Sequence, residues 1–338
     1  MTARPFRSRF HRAFLAVVAA VGMGTTGLVL DNLPKNPDTD TQKVSTFETR
    51  SGLQGYNISP SDQFWKHTLG LKSADQKDDA LIAAARAGDS WRAQALFEHG
   101  ADATGAAATQ ALAIAAWRGD ADVVKVMLKN GVNAGARESL ALRAASAEGN
   151  TAVMRQLINA GADVSARDNE ALVLAVGNGN LDAVRLILQQ AAPDEDFLNP
   201  ASQATPAADV NAGNGLPLEL AVISGNTAMA QMLIDNGANV NVKDGVALNI
   251  AVLEGDGAMV QTLIDRGADV NAGKGAALSI AVELNDTYMA QLLMQNKANP
   301  DLRGGQIRQA ASDPAMKQVL QGGGSGGPTI FPGPHPLF

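Results

Sequence analysis

Apolar and polar positions recur in one fixed order seven times between Asp78 and Leu302. Each recurrence opens with a leucine, places an alanine three residues on and a glycine four after that, then runs through an aliphatic pair into G-A-D-V-N-A or a near copy. The leucines are Leu81, Leu112, Leu142, Leu172, Leu218, Leu248 and Leu278, at intervals of usually about 30 residues, the period of a stacked-repeat protein. Leucine and alanine three apart share one face of a short helix, and the alanine is small so that another helix can pack close. Gly88, Gly119, Gly149, Gly179, Gly225 and Gly255 end that helix in the left-handed conformation. The Asp or Asn that follows, from Asp89 to Asp256, suits the N-cap of a second helix carrying pairs such as Leu157 with Ile158 and Leu263 with Ile264. A further glycine, as at Gly161 or Gly267, closes the second helix.

The pattern predicts an all-α fold of stacked helix-turn-helix units with short loops. A stack whose units touch only their neighbours offers a long open face, and such faces hold other macromolecules. The units resemble the ankyrin repeat over roughly two thirds of the chain, and Gly267 to Ala272 is close to that family's consensus. The resemblance implies an ankyrin-repeat solenoid over 78–321. The family's T-P-L-H-x-A opening survives only as Leu and Ala, with Pro217 before Leu218, and about three residues are missing from the usual 33. Short β-turn fingers are therefore expected. Asn285 and Lys297 stand where the two glycines of the seventh unit belong, which reads as a terminal repeat with Gln306 to Leu320 as a partial cap.

One insertion, 191–207, breaks the period. Pro193, Pro200 and Pro206 forbid a continuing helix. It is either a tolerated surface loop or a docking peg, with Phe197 and Leu198 behind the acidic run Asp194 to Asp196. Loops that interrupt repeats often lie at binding faces.

The first 30 residues change the expected setting. Arg4, Arg7, Arg9 and Arg12 precede 18 uncharged residues, Ala13 to Leu30, the layout of an export segment with its basic end held in the cytoplasm. Eighteen helical residues span about 27 Å, barely the hydrocarbon core. The run ends with only a weak small-residue cleavage pattern, which favours an uncleaved anchor over a cleaved signal peptide. The expectation is a single pass through the inner membrane by residues 13–30 with the repeats in the periplasm; the alternative is a periplasmic or secreted protein after cleavage. Residues 31–77 read as a polar linker in which Phe64, Trp65 and Leu69 form a short capping segment for the first repeat or a contact motif. Residues 322–338 read as a flexible Gly/Pro tail carrying Ile330, Phe331, Leu337 and Phe338, four apolar residues that dock somewhere or stay exposed.

Charge and chemistry narrow the function. Of 27 Lys and Arg, four lie in the export segment, so 23 face 34 Asp and Glu beyond it. That acidic remainder repels nucleic acid and anionic headgroups. The chain has no cysteine, and His11, His67, His99 and His335 are not at metal-ligand spacings. The Asp and Asn of the A-D-V-N turns are assigned to local turn bonding rather than calcium. No cofactor, metal, nucleic acid or small-molecule substrate is expected, and no catalytic constellation stands out.

What remains is a protein-binding face. The ankyrin resemblance implies a concave face formed by the first helices, centred on the two residues before each closing glycine. Arg86, Trp117 and Arg118 make a basic aromatic end there, and Ile223, Leu253, Glu283 and Leu284 an aliphatic acidic one. Trp and Arg most often carry interface energy. Phe197, Phe331 and Phe338 are further candidate contacts. The opposing expectation is that short fingers and tight packing bury these side chains. The expected function is a non-catalytic, membrane-tethered interaction scaffold; the alternative is a secreted effector or toxin-neutralising inhibitor.

Overall fold

A computed structural model describes residues 73–189 and 207–322. The expected anchor, most of the expected linker, the insertion with Phe197, and the tail with Phe331 and Phe338 lie outside the described residues. The chain divides into two compact units. Apart from the turn Gly179–Leu181, the first unit holds four helix pairs and the second holds three with a terminal extension.

In the first unit the inner helices are α1 (Ala74–Ala87), α3 (Ala106–Arg118), α5 (Ala136–Glu148) and α7 (Ala166–Gly177). Their outer partners are α2 (Ser90–Glu98), α4 (Ala121–Lys129), α6 (Thr151–Asn159) and α8 (Leu181–Gln189). In the second unit the inner helices are α9 (Ala212–Ile223), α11 (Val242–Leu253) and α13 (Ala272–Glu283), with outer partners α10 (Thr227–Asp235), α12 (Gly257–Asp265) and α14 (Thr287–Gln295). A 3-10 turn (Leu302–Gly305), α15 (Gln306–Ala310) and α16 (Pro314–Gln321) follow. Among the described residues there is no strand.

Nine-residue helices are marginal alone, so packing holds them. Successive inner helices lie side by side within each unit, as do the outer helices α2, α4 and α6 in the first and α10, α12 and α14 in the second. Leu81, Leu142 and Leu172 are fully buried, and so are the alanines three on, Ala84, Ala145 and Ala175. Removing any of these leucine side chains would cost about 2 to 5 kcal/mol. The alanines set the spacing, because a larger side chain would push two inner helices apart. The glycines at the helix ends are left-handed, with φ of +70° at Gly88 and +93° at Gly267. Asn285 and Lys297 take the same conformation without being glycine, at +54° and +70°. The terminal extension buries Ile307, Met316 and Leu320 and caps the last pair.

Two features refine the sequence reading. The first helix begins at Ala74, before Asp78, because Ser73 and Gln76 form a capping box: the Gln76 amide donates to Ser73 Oγ and the Ser73 amide to Gln76 Oε1. The shortened finger becomes one left-handed turn. Arg137, Glu138 and Ser139 all have positive φ, as do Arg167 to Asn169, Gly213 to Gly215, Lys243 to Gly245 and Gly273 to Gly275. In the second unit glycine occupies at least one position of each such turn; in the first unit none does.

The A-D-V-N turns divide their labour. Asp163, Asp209, Asn239 and Asp269 accept from the amide two residues on, the local bonding expected of them. Asn211, Asn241 and Asn271 depart from that expectation and reach the next repeat. Each donates to a turn carbonyl, of Gly237, Gly267 and Lys297, and accepts from the amide two residues further on, of Asn239, Asp269 and Asn299. An amide side chain can do both because it carries donor and acceptor together.

Candidate functional site

Each inner helix ends one turn from the start of its outer helix, so the residue pair before the closing glycine stands at a common edge of its unit. In the first unit Arg86 and Arg118 are exposed there. The Arg118 guanidinium is paired with Asp120 at 2.7 Å. Trp117 is half-buried, and its Nε1 donates to Glu148 Oε1 of the next inner helix at 2.8 Å. The indole is thus tied to a neighbouring repeat with part of its surface open. Trp91, at the start of α2, is 60% exposed.

In the second unit Ile223 is half-buried, covered in part as the packing alternative anticipated. Leu253 and Leu284 are exposed at 57% and 51%. Leu253 ends α11 and Leu284 caps α13, and these two helices pack side by side. Glu254 and Glu283 stand next to them, both exposed, and Glu283 accepts from Ser279 Oγ at 3.0 Å. Tyr288, at the start of α14, is 62% exposed. Its ring lies across Gly257 of the preceding outer helix, where a Cβ would meet Cε1 at 2.9 Å. Two leucines thus face water at the ends of neighbouring inner helices with a carboxylate next to each, and the exposed Tyr288 ring lies against Gly257, at the start of the outer helix that follows Leu253.

Trp91 and Tyr288 were not among the expected contacts. Both sit at the second position of an outer helix, where the other repeats carry Asp122, Ala152, Asp182, Ala228 and Ala258. An aromatic residue at a position otherwise small or acidic was the available signal.

The first unit also holds a half-sunken charge cluster. Glu170 Oε2 lies 2.7 Å from Arg143 Nε and 2.9 Å from Arg167 Nε, and Arg167 reaches Glu138 at 3.3 Å. Burial pulls the Arg143 guanidinium below its ordinary value, with Glu170 opposing the shift. These groups bind α5 to α7 and are occupied with one another. Among the described residues no three His, Cys, Asp or Glu side chains gather as metal ligands, and no helix is long and apolar enough to cross a membrane.

Comparison with known proteins agrees with the helical pattern. Residues 141–244 match the family model for ankyrin repeats in three copies. The crystal structure of the ankyrin repeat domain of Bcl-3, described as a unique member of the IkappaB protein family, is similar at 24% identity and a TM-score of 0.53, covering 62% of this chain and 97% of that one. The human ASB11 ankyrin repeat domain aligns at 22% identity and a TM-score of 0.48, covering 62% of this chain and 96% of that one. No curated protein sequence matches. Residues 141–244 are thus ankyrin repeats by sequence, and the described helix pairs share the fold of an ankyrin repeat domain.

Proposed function

We propose that the chain is an interaction scaffold that binds a protein partner through the ends of its inner helices and carries out no chemistry of its own. The observation that carries this is the exposure of Leu253 and Leu284 at adjacent helix ends, at 57% and 51%. Both sit in a unit whose repeat leucines, Leu218, Leu248 and Leu278, are buried to within 2%. Apolar surface of this kind, rimmed by polar groups, is where partners dock. The helices that present it are held by the repeat core, so little ordering is lost on binding. In the first unit Arg86, Trp117 and Arg118, joined by Trp91, offer the aromatic and cationic side chains that anchor interfaces.

In this reading residues 13–30, an uncharged run behind four arginines, anchor the chain in the inner membrane with its repeats in the periplasm. The weak small-residue end of that run supports the second reading, a cleaved and secreted protein acting as an effector or toxin-neutralising inhibitor. Carbonate extraction of membranes separates the two, since an anchored chain stays in the pellet and a released one does not. The binding reading is tested by crosslinking in intact cells with the Trp117→Ala chain alongside. A partner held by the native chain and weakened by more than about 1 kcal/mol in the variant supports it. Unchanged binding with a lowered melting temperature would make Trp117 a packing residue and remove the first unit's face from the interface.

A further inference from the structure

We propose that the apolar patch of Leu253, Leu284 and Tyr288 is a docking site for the chain's own tail, residues 323–338, through Ile330, Phe331, Leu337 and Phe338. This rests on the patch being a binding surface and adds how it is regulated: tail and partner compete for it.

The argument starts from reach. Asn285, next to Leu284, donates from Nδ2 to Asp313 Oδ2 at 3.4 Å, so the start of α16 is fixed beside the patch. The eight residues of α16 carry the chain about 12 Å from there to Gly322. From Gly322 to Ile330 are eight further residues reading G-G-S-G-G-P-T-I, a composition whose root-mean-square span is roughly 16 Å and whose extended limit is about 28 Å. A tether whose natural span matches the gap gives its end a local concentration on the order of millimolar. The tail therefore meets this patch far more often than any free peptide at cellular concentration.

The chemistry fits as well. Beyond Gly322 the only large apolar side chains are Ile330, Phe331, Leu337 and Phe338, and the patch offers two leucines and a tyrosine ring. His335 is the only ionisable side chain of the tail, so no acidic side chain in it faces the exposed Glu254 and Glu283 at the rim. Pro332, Pro334 and Pro336 separate the apolar residues and stiffen the segment, which reduces the freedom lost on docking.

Absence of cysteine makes the test direct. Glu283→Cys and Thr329→Cys place one thiol beside the patch and one beside Ile330 while leaving every proposed contact in place. Purified chain at low concentration is oxidised, and intramolecular disulfide is followed on a non-reducing gel. The proposal expects closure about 10-fold faster or more than in the same pair carrying either Leu253→Ser with Leu284→Ser, or serine at all four apolar tail positions. Equal rates in the three chains overturn it, because the tether alone then explains closure. A product that is chiefly disulfide-linked dimer also overturns it, placing the tail on a second copy. The measurement contains no partner, so its failure leaves the scaffold reading standing.

Discussion

The Asn241 side chain is shared between two repeats: its Nδ2 donates to the Gly267 carbonyl at 3.0 Å while its Oδ1 accepts from the Asp269 amide at 2.8 Å. One amide thus ties the turn of one unit to the turn of the next, and Asn211 and Asn271 repeat the arrangement on either side. Asn241→Ala removes both bonds at an exposed position and is expected to cost about 1 to 2 kcal/mol in urea unfolding. Asn241→Asp keeps the acceptor but turns a carboxylate toward a carbonyl, so it should rescue little. Full stability in both variants would mean the ladder contributes nothing beyond what water supplies.

Lys297 and Asn285 hold a conformation that side chains resist, at φ of +70° and +54°. Lys297→Gly should stabilise the last repeats by about 0.5 to 1 kcal/mol. The Lys297 carbonyl accepts from Asn271 through the backbone, so that bond survives the change. Asn285→Gly should gain less, because asparagine tolerates the left-handed region and its side chain also meets Asp313. Hydrogen exchange over α13 and α14 reads the local effect.

The left-handed turns predict opposite signs in the two units. Arg137 has φ of +49° at the position filled by Gly213 and Gly273 in the second unit, so Arg137→Gly should stabilise by up to about 1 kcal/mol. At Gly245, φ is +77° and an added Cβ would meet Ala272 Cβ at 2.8 Å. Gly245→Ala should therefore destabilise by about 1 to 3 kcal/mol. Thermal melts of both variants check the pair; a gain from Gly245→Ala would contradict the turn geometry.

Ion pairs of the first unit differ in depth. Glu170 joins Arg143 with side chains only 10% and 12% exposed, whereas Asp182 and Arg185 are 78% and 51% exposed. Glu170→Gln leaves two guanidinium groups facing one neutral amide and should cost about 2 to 4 kcal/mol. Asp182→Asn should change stability by less than about 1 kcal/mol. Equal losses would mean that burial does not govern these pairs.

Much of the fold was legible because each repeat states it again. A leucine, a small alanine and a positive-φ glycine at fixed spacing leave little choice but paired helices stacked through the alanines. The left-handed turn escaped because its sequences, Arg137-Glu138-Ser139 and Gly273-Lys274-Gly275, share no residue type at most positions; the signal was a length three short of the family repeat. The Asn ladder was hidden by its own regularity, since Asn241 reads as an ordinary turn residue until its partner one repeat away is seen. Among the candidate contacts, the exposure of Leu253 and Leu284 was readable, as apolar side chains at a position expected to face solvent. Ile223 was not, because whether that position is covered depends on its neighbours in space. The exposure of Trp91 and Tyr288 was not legible, because both stand on outer helices and not at the inner-helix ends to which the resemblance points.

The most direct measurement of the central claim compares proteins captured by crosslinking from intact cells with the tagged native chain and with Leu253→Ser, Leu284→Ser. Both leucines are more than half exposed, so the variant should melt within a few degrees of the native chain. The scaffold account predicts one specific protein recovered with the native chain and reduced about 10-fold or more with the variant. The same recovery with both chains, or nothing beyond a tag-only control with either, would contradict it.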